Sequence, residues 1–208
     1  YNEDAMVAKA ASVISEIVEN EDIPCELLFV EDGSKDDTWS IITSVAAQNP
    51  VVRGIHFSRN FGKESAIMAG LTEAKGDCCV VIDCDLQHPP EKIIEMYRLW
   101  EQGYEIVEGQ KSSRGTEHKL HTVAAKMFYS IISAATGLDM ANASDFKLLD
   151  RKAVNVLINM NEKNAFFNIT GFLAHGFVGA QGKYREAFRS YIKEFIVENE
   201  TRYAMMDI

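Results

Sequence analysis

Short apolar runs alternate with stretches of helical periodicity along most of this chain, and each run breaks off into a polar or glycine-containing turn. Glu26-Leu-Leu-Phe-Val30, Val51 to Phe57, Cys78 to Asp83 and Tyr104 to Glu108 read as strands. Around them, apolar residues recur at helical spacing. Met6, Ala10, Val13, Ile14 and Ile17 mark a helix over Ala5 to Val18, and Trp39, Ile42, Val45 and Ala46 mark one that Pro50 limits. A third helix runs from Lys63 to Lys75 and is stopped by Gly76; a fourth, carrying Ile93, Ile94, Tyr97 and Trp100, lies between Pro89-Pro90 and Gly103. Asn2 and Asp4 are expected to cap the first helix, and Ser34 with Asp37 forms a capping-box-like start to the second. Such alternation predicts an α/β fold, a mostly parallel sheet covered by helices on both faces, with ligands bound at the carboxyl ends of its strands.

The 208 residues, 47% hydrophobic and 25% charged, suffice for one compact domain and exclude a disordered or fibrous chain. Thirty-one acidic against 21 basic residues give a net charge of -10, which argues against a general nucleic-acid binder. Cys25, Cys78, Cys79 and Cys84 include no C-x-x-C, so neither a zinc knuckle nor a secreted disulfide framework is expected, and a reducing compartment follows. The longest charge-free stretch, Asn164 to Gly182, is too polar for a spanning helix, and no basic and then apolar segment opens the chain as a signal peptide would. The chain reads as cytosolic or peripheral to a membrane.

Chemistry collects where the strands end. Asp83-Cys84-Asp85 directly follows an apolar strand and places two hard oxygen donors, suited to Mg²⁺ or Mn²⁺, at the ligand-binding edge. A lone D-x-D recurs by chance, so its context decides. Glu31-Asp-Gly-Ser34 ends an earlier strand in the same way, and Ser58-Arg-Asn-Phe-Gly-Lys63 ends another. Asp32 is suited to accept hydrogen bonds from a base or ribose, and Gly33 and Gly62 permit tight turns beside a ligand. After Gly109 the pattern loosens into a polar loop, Gln110 to His118, and a helix from about Lys119 to Ala135. Lys111, Arg114 and Lys119 form a basic cluster there, in an otherwise acidic chain. A loop from Gly137 to Ser144, a strand over Asp145-Phe-Lys-Leu-Leu149 and a helix over Arg151 to Asn159 follow.

Taken in order, Tyr1-Asn-Glu3, Glu31-Asp-Gly-Ser-Lys-Asp36, Arg59-Asn-Phe-Gly-Lys63 and Asp83-Cys-Asp-Leu-Gln-His-Pro-Pro-Glu91 resemble glycosyltransferase family 2. With Ala143-Ser-Asp-Phe-Lys-Leu-Leu-Asp150, the chain resembles more narrowly the polyprenyl-phosphate sugar transferases, the dolichyl-phosphate mannose synthase and bactoprenol glucosyltransferase group. The resemblance covers roughly Tyr1 to Glu162 and is most specific in the string from Asp83. It implies a Rossmann-like GT-A domain over residues 1–162, followed by an atypical acceptor-side, membrane-proximal segment over 163–208. It further implies an inverting, metal-dependent enzyme that moves glucose or mannose from UDP- or GDP-hexose to a dolichyl or undecaprenyl phosphate at the cytoplasmic face of a membrane.

In that scheme Tyr1, Glu3 and Asp32 line the nucleotide pocket, and Asp83, Asp85 and Gln87 face the diphosphate, donor sugar and metal. Asp83 and Asp85 are the expected metal ligands, and Lys111 stands where relatives place an arginine against phosphate. Asp145 aligns with the carboxylate assigned as the base. A phosphate acceptor hardly needs one, its second pKa being about 6, so Asp145 serves either as a base or to orient Lys147, Lys111 or the metal. Arg114, Lys119, Arg185 and Arg189 are expected at the acceptor phosphate. The chain departs from its relatives at both ends. It begins at Tyr1 without the apolar strand that precedes this motif in relatives, which predicts an exposed edge on the Leu27 to Val30 strand and either poor stability or self-association. Glu194 to Ile208 aligns with nothing in the family on inspection. An acceptor that is a soluble sugar or polysaccharide, and an inactive nucleotide-sugar-binding module, are the alternatives.

Overall fold

Both faces of one sheet are buried in this chain, and the residue-by-residue alternation of a strand explains how. In the computed structural model, which describes residues 1–110, 145–159 and 203–207, Ile106 and Leu149 face one helical layer while their neighbours Val107 and Leu148 face the other. The elements in chain order are α1 (Asp4–Asn20), β1 (Leu27–Glu31), α2 (Thr38–Gln48), β2 (Val52–His56), α3 (Lys63–Glu73) and β3 (Cys78–Val81). α4 (Lys92–Glu101), β4 (Ile106–Gln110), β5 (Lys147–Asp150), α5 (Arg151–Asn159) and β6 (Tyr203–Asp207) complete them. Leu71 of α3 and Ala153, Val154 and Leu157 of α5 pack on the first face; Ile14 and Val18 of α1 and Ile93 and Met96 of α4 pack on the second. This is the layered α/β architecture that the alternation predicts.

The strands form two sheets among the described residues. β1 pairs with β2 in parallel, Leu27 opposite Val52 through Glu31 opposite His56. The second sheet has the order β3-β5-β4-β6, with β5 antiparallel to both β3 and β4 and β6 parallel to β4. β3, β4 and β6 therefore share one direction and β5 alone is reversed, which is the mostly parallel arrangement expected from the sequence with one antiparallel strand inserted. β3 and β4 run the same way, joined through α4, and β5 is inserted between them in the opposite sense. β6 comes from the 163–208 stretch and adds a strand beside β4. β1 has no strand partner but β2, and β3 none but β5, among the described residues.

Local details correct the capping expectations. Asn2 does not cap α1; its side-chain carbonyl accepts the Lys35 amide at 3.1 Å. Asp4 accepts the Ala5 amide at 2.7 Å, within the first turn that it opens. At α2 the acceptor is neither Ser34 nor Asp37 but Asp36, whose Oδ1 takes the Thr38 amide at 3.1 Å and the Thr38 hydroxyl at 2.6 Å. Ser34 instead accepts the Asn2 amide at 2.8 Å, and Thr38 the Glu3 amide at 2.9 Å. The Tyr1 to Glu3 segment is thus stitched to the turn after β1. α2 lies on β2 at Gly54, where a Cβ would stand 2.7 Å from Ile42 and 2.8 Å from Trp39. No described helix is long and apolar enough to cross a membrane.

Candidate active site

The direction of β5 assembles the site. β1, β2 and β3 deliver Asp32, the 57–62 turn and Asp83 at their carboxyl ends, whereas a residue preceding β5 would lie at the opposite edge if that strand ran parallel. Because it is antiparallel, with Lys147 opposite Val81, Asp145 is carried to the same edge as Asp83. One cation joins them. Lys63 Nζ lies 2.9 Å from both carboxylate oxygens of Asp83 and 2.7 Å from Asp145 Oδ2. The side chains of Lys63, Asp83 and Asp145 keep 47%, 38% and 32% of their surface, so the cluster opens to solvent and to a ligand. Partial burial alone would lower the Lys63 pKa; hydrogen bonds to Asp145 and Asp83 outweigh it and hold the ammonium above its ordinary value.

Asp32 has a second task besides any contact to a ligand. It is buried, and its two carboxylate oxygens accept the amides of Phe61 and Gly62 at 2.6 and 2.9 Å. This ties the turn after β1 to the one after β2 and sets Lys63, the first residue of α3, in place. Gly33 makes the close approach possible. It has φ +65°, and a Cβ there would stand 2.2 Å from the Arg59 carbonyl carbon. Beneath it, Glu31 is fully buried, accepts from Ser34 and meets His56 Nδ1 at 2.5 Å. Burial works to raise the Glu31 pKa, but the bonds from Ser34 and His56 prevail and hold its carboxyl below the usual range. His56 stacks on Trp39 with ring centroids 4.8 Å apart.

Asp85 is half-buried and its Oδ1 accepts the Gln87 amide at 3.0 Å, closing a turn through Leu86, which has φ +57°. Gln87 is exposed at this edge, and His88 is buried, its ring stacked 5.4 Å from Phe146. Tyr1 and Glu3 lie beside the same turn: burial, then the Glu3 carboxylate, pushes the Cys84 thiol up to about 11 although the chain's amino terminus opposes it. That thiol is no nucleophile at neutral pH. The exposed large hydrophobic residues among the described ones, Tyr1 and Phe61, both flank this edge, Phe61 with the Arg59 guanidinium 4.7 Å above its ring.

The donor set fits Mg²⁺ or Mn²⁺. No group of three His, Cys, Asp or Glu side chains gathers in ligating geometry among the described residues, but these cations use one or two carboxylates and complete their shell with substrate phosphates and water. Asp83, which now pairs with the Lys63 ammonium, and Asp85, whose Oδ1 accepts the Gln87 amide, are the two carboxylates that would supply such a pair.

The structure thus brings Tyr1, Glu3, Asp32, Asp83, Asp85, Gln87 and Asp145 to one edge. Lys111, Arg114, Lys119, Arg185 and Arg189, and with them the basic loop, the 119–135 helix and the Phe166 to Phe177 aromatics, lie outside the described residues. Asp145 does not orient Lys147. It pairs with Lys63, while Lys147 is buried in the sheet with Glu108 at 2.8 Å. Lys63 was missed as a site residue in the sequence, although a lysine directly after a glycine turn at a strand end is the available signal.

Residues 1–158 match the model of the family described as Glycosyl transferase family 2. An uncharacterized glycosyltransferase, YkcC, of Bacillus subtilis is 36% identical over 206 residues, covering 99% of this chain and 61% of that protein. The prophage bactoprenol glucosyl transferase homolog of Escherichia coli and the bactoprenol glucosyl transferase of Shigella phage SfV are each 36% identical over 167 residues, 80% of this chain. These matches cover 55% and 54% of the two proteins, so the chain spans little more than half to three-fifths of these relatives. The alignment to YkcC runs through nearly the whole chain and corrects the expectation that the C-terminal stretch has no counterpart.

Proposed function

Because this chain belongs to glycosyl transferase family 2, we propose that it carries the donor site of an inverting hexosyltransferase that moves a sugar, glucose or mannose, from UDP- or GDP-hexose to a polyprenyl phosphate. The observation that carries this reading is the meeting of Asp83, Asp145 and Lys63 at an open strand edge, beside the buried Asp32. The named bactoprenol glucosyl transferases among its relatives support the lipid phosphate as acceptor and a membrane face as the place of work.

Asp83 and Asp85 would hold Mg²⁺ or Mn²⁺ with the donor diphosphate, where the cation supplies Lewis-acid stabilisation of the charge that develops on the leaving group. Asp32 holds the two turns that shape the nucleotide pocket, and Tyr1 and Phe61 offer aromatic faces at its rim. Asp145 Oδ2 is engaged by Lys63 and not presented free, which favours an acceptor that arrives already ionised, as a phosphate monoester does at neutral pH. Attack by that phosphate oxygen on the anomeric carbon, from the face opposite the diphosphate, breaks the bond to the leaving group and inverts the centre.

Titration calorimetry with UDP, GDP and their glucose and mannose conjugates, with and without Mn²⁺, tests the donor site. Metal-dependent binding of one base, lost in Asp85→Asn, is the expected result; no binding by the folded chain overturns the reading. For the acceptor, Asp145→Asn is expected to lower transfer to polyprenyl phosphate by less than about tenfold, because no proton has to be removed. A loss of about a hundredfold or more would point to a hydroxyl acceptor instead.

A further inference from the structure

Lys63 holds a position that helix electrostatics does not explain. It is the first residue of α3, where the unpaired amides of the helix start favour an acidic side chain and oppose a cation. Its ammonium reaches across the edge instead, to within 2.9 Å of Asp83 and 2.7 Å of Asp145, two carboxylates contributed by different strands. Gly62, at φ +96°, sets the direction in which α3 starts, and Asp32 fixes the Gly62 amide at 2.9 Å.

We infer that Lys63 is the built-in counter-ion of the carboxylates Asp83 and Asp145, and that a divalent cation must displace its ammonium from Asp83 in order to bind. The inference rests on the reading of Asp83 and Asp85 as the metal site. Without a cation, Asp83 and Asp145 would face one another at short range with nothing between them; Lys63 neutralises that repulsion and keeps both side chains in place. A divalent ion brings twice the charge to the Asp83 oxygens and, with the diphosphate, replaces the ammonium there, while Lys63 keeps its contact to Asp145. Lys63 thereby sets a threshold: it weakens binding of the bare ion and leaves the site to respond to the ion delivered with the diphosphate. It is a positioning residue, acting through the carboxylates.

The test is Mn²⁺ binding to the nucleotide-free protein, followed by paramagnetic resonance of the free ion. Release of the partly exposed Asp83 ion pair, with Lys63 kept by Asp145, predicts that Lys63→Met binds Mn²⁺ about threefold more tightly than the parent protein. Lys63→Arg, which keeps the charge, is expected to bind like the parent. So is Lys75→Met, which removes the same charge beyond the far end of the 11-residue α3, roughly 16 Å away. Asp83→Asn added to Lys63→Met is expected to cancel the gain. Equal Mn²⁺ affinity in the parent protein and Lys63→Met, or the same gain in Lys75→Met, overturns the inference. A Mn²⁺ and UDP or GDP titration run alongside separates the two levels: Mn²⁺-dependent nucleotide binding without any Lys63 effect refutes the counter-ion role alone. Its absence from the parent protein refutes the metal site and the inference together. Thermal unfolding of each metal-free variant confirms that the comparison is between folded proteins.

Discussion

Replacing Gly33 by alanine tests whether the close contact of two turns holds the site together. At φ +65° an alanine is strained by about 1–2 kcal/mol. The larger effect is steric, because the new Cβ would stand 2.2 Å from the Arg59 carbonyl carbon and 2.5 Å from the Asn60 nitrogen, both backbone atoms. The 59–62 turn must then withdraw, and it leaves behind the two amide bonds to the Asp32 carboxylate, at 2.6 and 2.9 Å. Hydrogen bonds to a charged group contribute about 1.5–3 kcal/mol each, so the expected destabilisation is about 4 kcal/mol, a large part of the stability of a small domain. Urea unfolding followed by fluorescence measures it, and nucleotide titration is expected to show weakened binding, because Lys63 moves with the turn. Gly33→Asn separates the two causes. Asparagine tolerates positive φ but carries the same Cβ, so a contact-driven loss persists in it, whereas a strain-driven loss largely disappears. A Gly33→Ala protein within about 1 kcal/mol of its parent, with unchanged nucleotide binding, would refute the reasoning.

Two further outcomes follow from buried charge. The Glu31 carboxyl titrates lower in the folded than in the unfolded protein, so its contribution is complete above the unfolded value of about 4.3 and is lost as pH falls through the folded value. Glu31→Gln should therefore lower the melting temperature at pH 7, with the gap to the parent protein narrowing as pH falls below the unfolded value; a gap that stays constant with pH would contradict this. In the sheet, Lys147 and Glu108 form a fully buried ion pair at 2.8 Å, opposite one another in the β4–β5 register. Lys147→Met alone is expected to cost about 3–5 kcal/mol in denaturant unfolding, and adding Glu108→Leu to recover part of it, because the loss includes a buried carboxylate whose Lys147 counter-charge is gone. Additive losses in the double variant would rule that cause out.

The elements legible in the sequence were those whose signal is local. β1 and β3 are unbroken apolar runs, and α4 and α5 carry apolar residues at helical spacing, so each lies within a few residues of its expected place. The direction of β5 was not legible, since Lys147-Leu-Leu149 reads the same whether its neighbours run with it or against it. β6 was missed because Tyr203-Ala-Met-Met206 is short and built largely of residues with little strand preference, and its identity as a strand comes from pairing with β4. Within the site, Asp83 and Asp85 stood out as a D-x-D after an apolar run. Asp32 was seen as a ligand contact only, because its bonds to Phe61 and Gly62 join residues 29 and 30 positions apart.

The same distinction separates what composes the site from what couples it. Every carboxylate at the edge belongs to a motif that can be read along the chain, but their relation to one another rests on two facts of the third dimension. The reversed strand β5 brings Asp145 to the carboxyl end of β3, and the Asp32-bound turn aims Lys63 between Asp145 and Asp83. Either change alone would leave the motifs intact in sequence and take the arrangement apart: a parallel β5 would carry Asp145 to the far edge, and a displaced turn would leave two carboxylates without their cation. Disruption of the Gly33 contact and removal of the Lys63 charge should accordingly differ in kind. The first perturbs nucleotide and metal binding together because it moves the scaffold; the second raises affinity for the bare metal ion because it removes a competitor from a scaffold left in place.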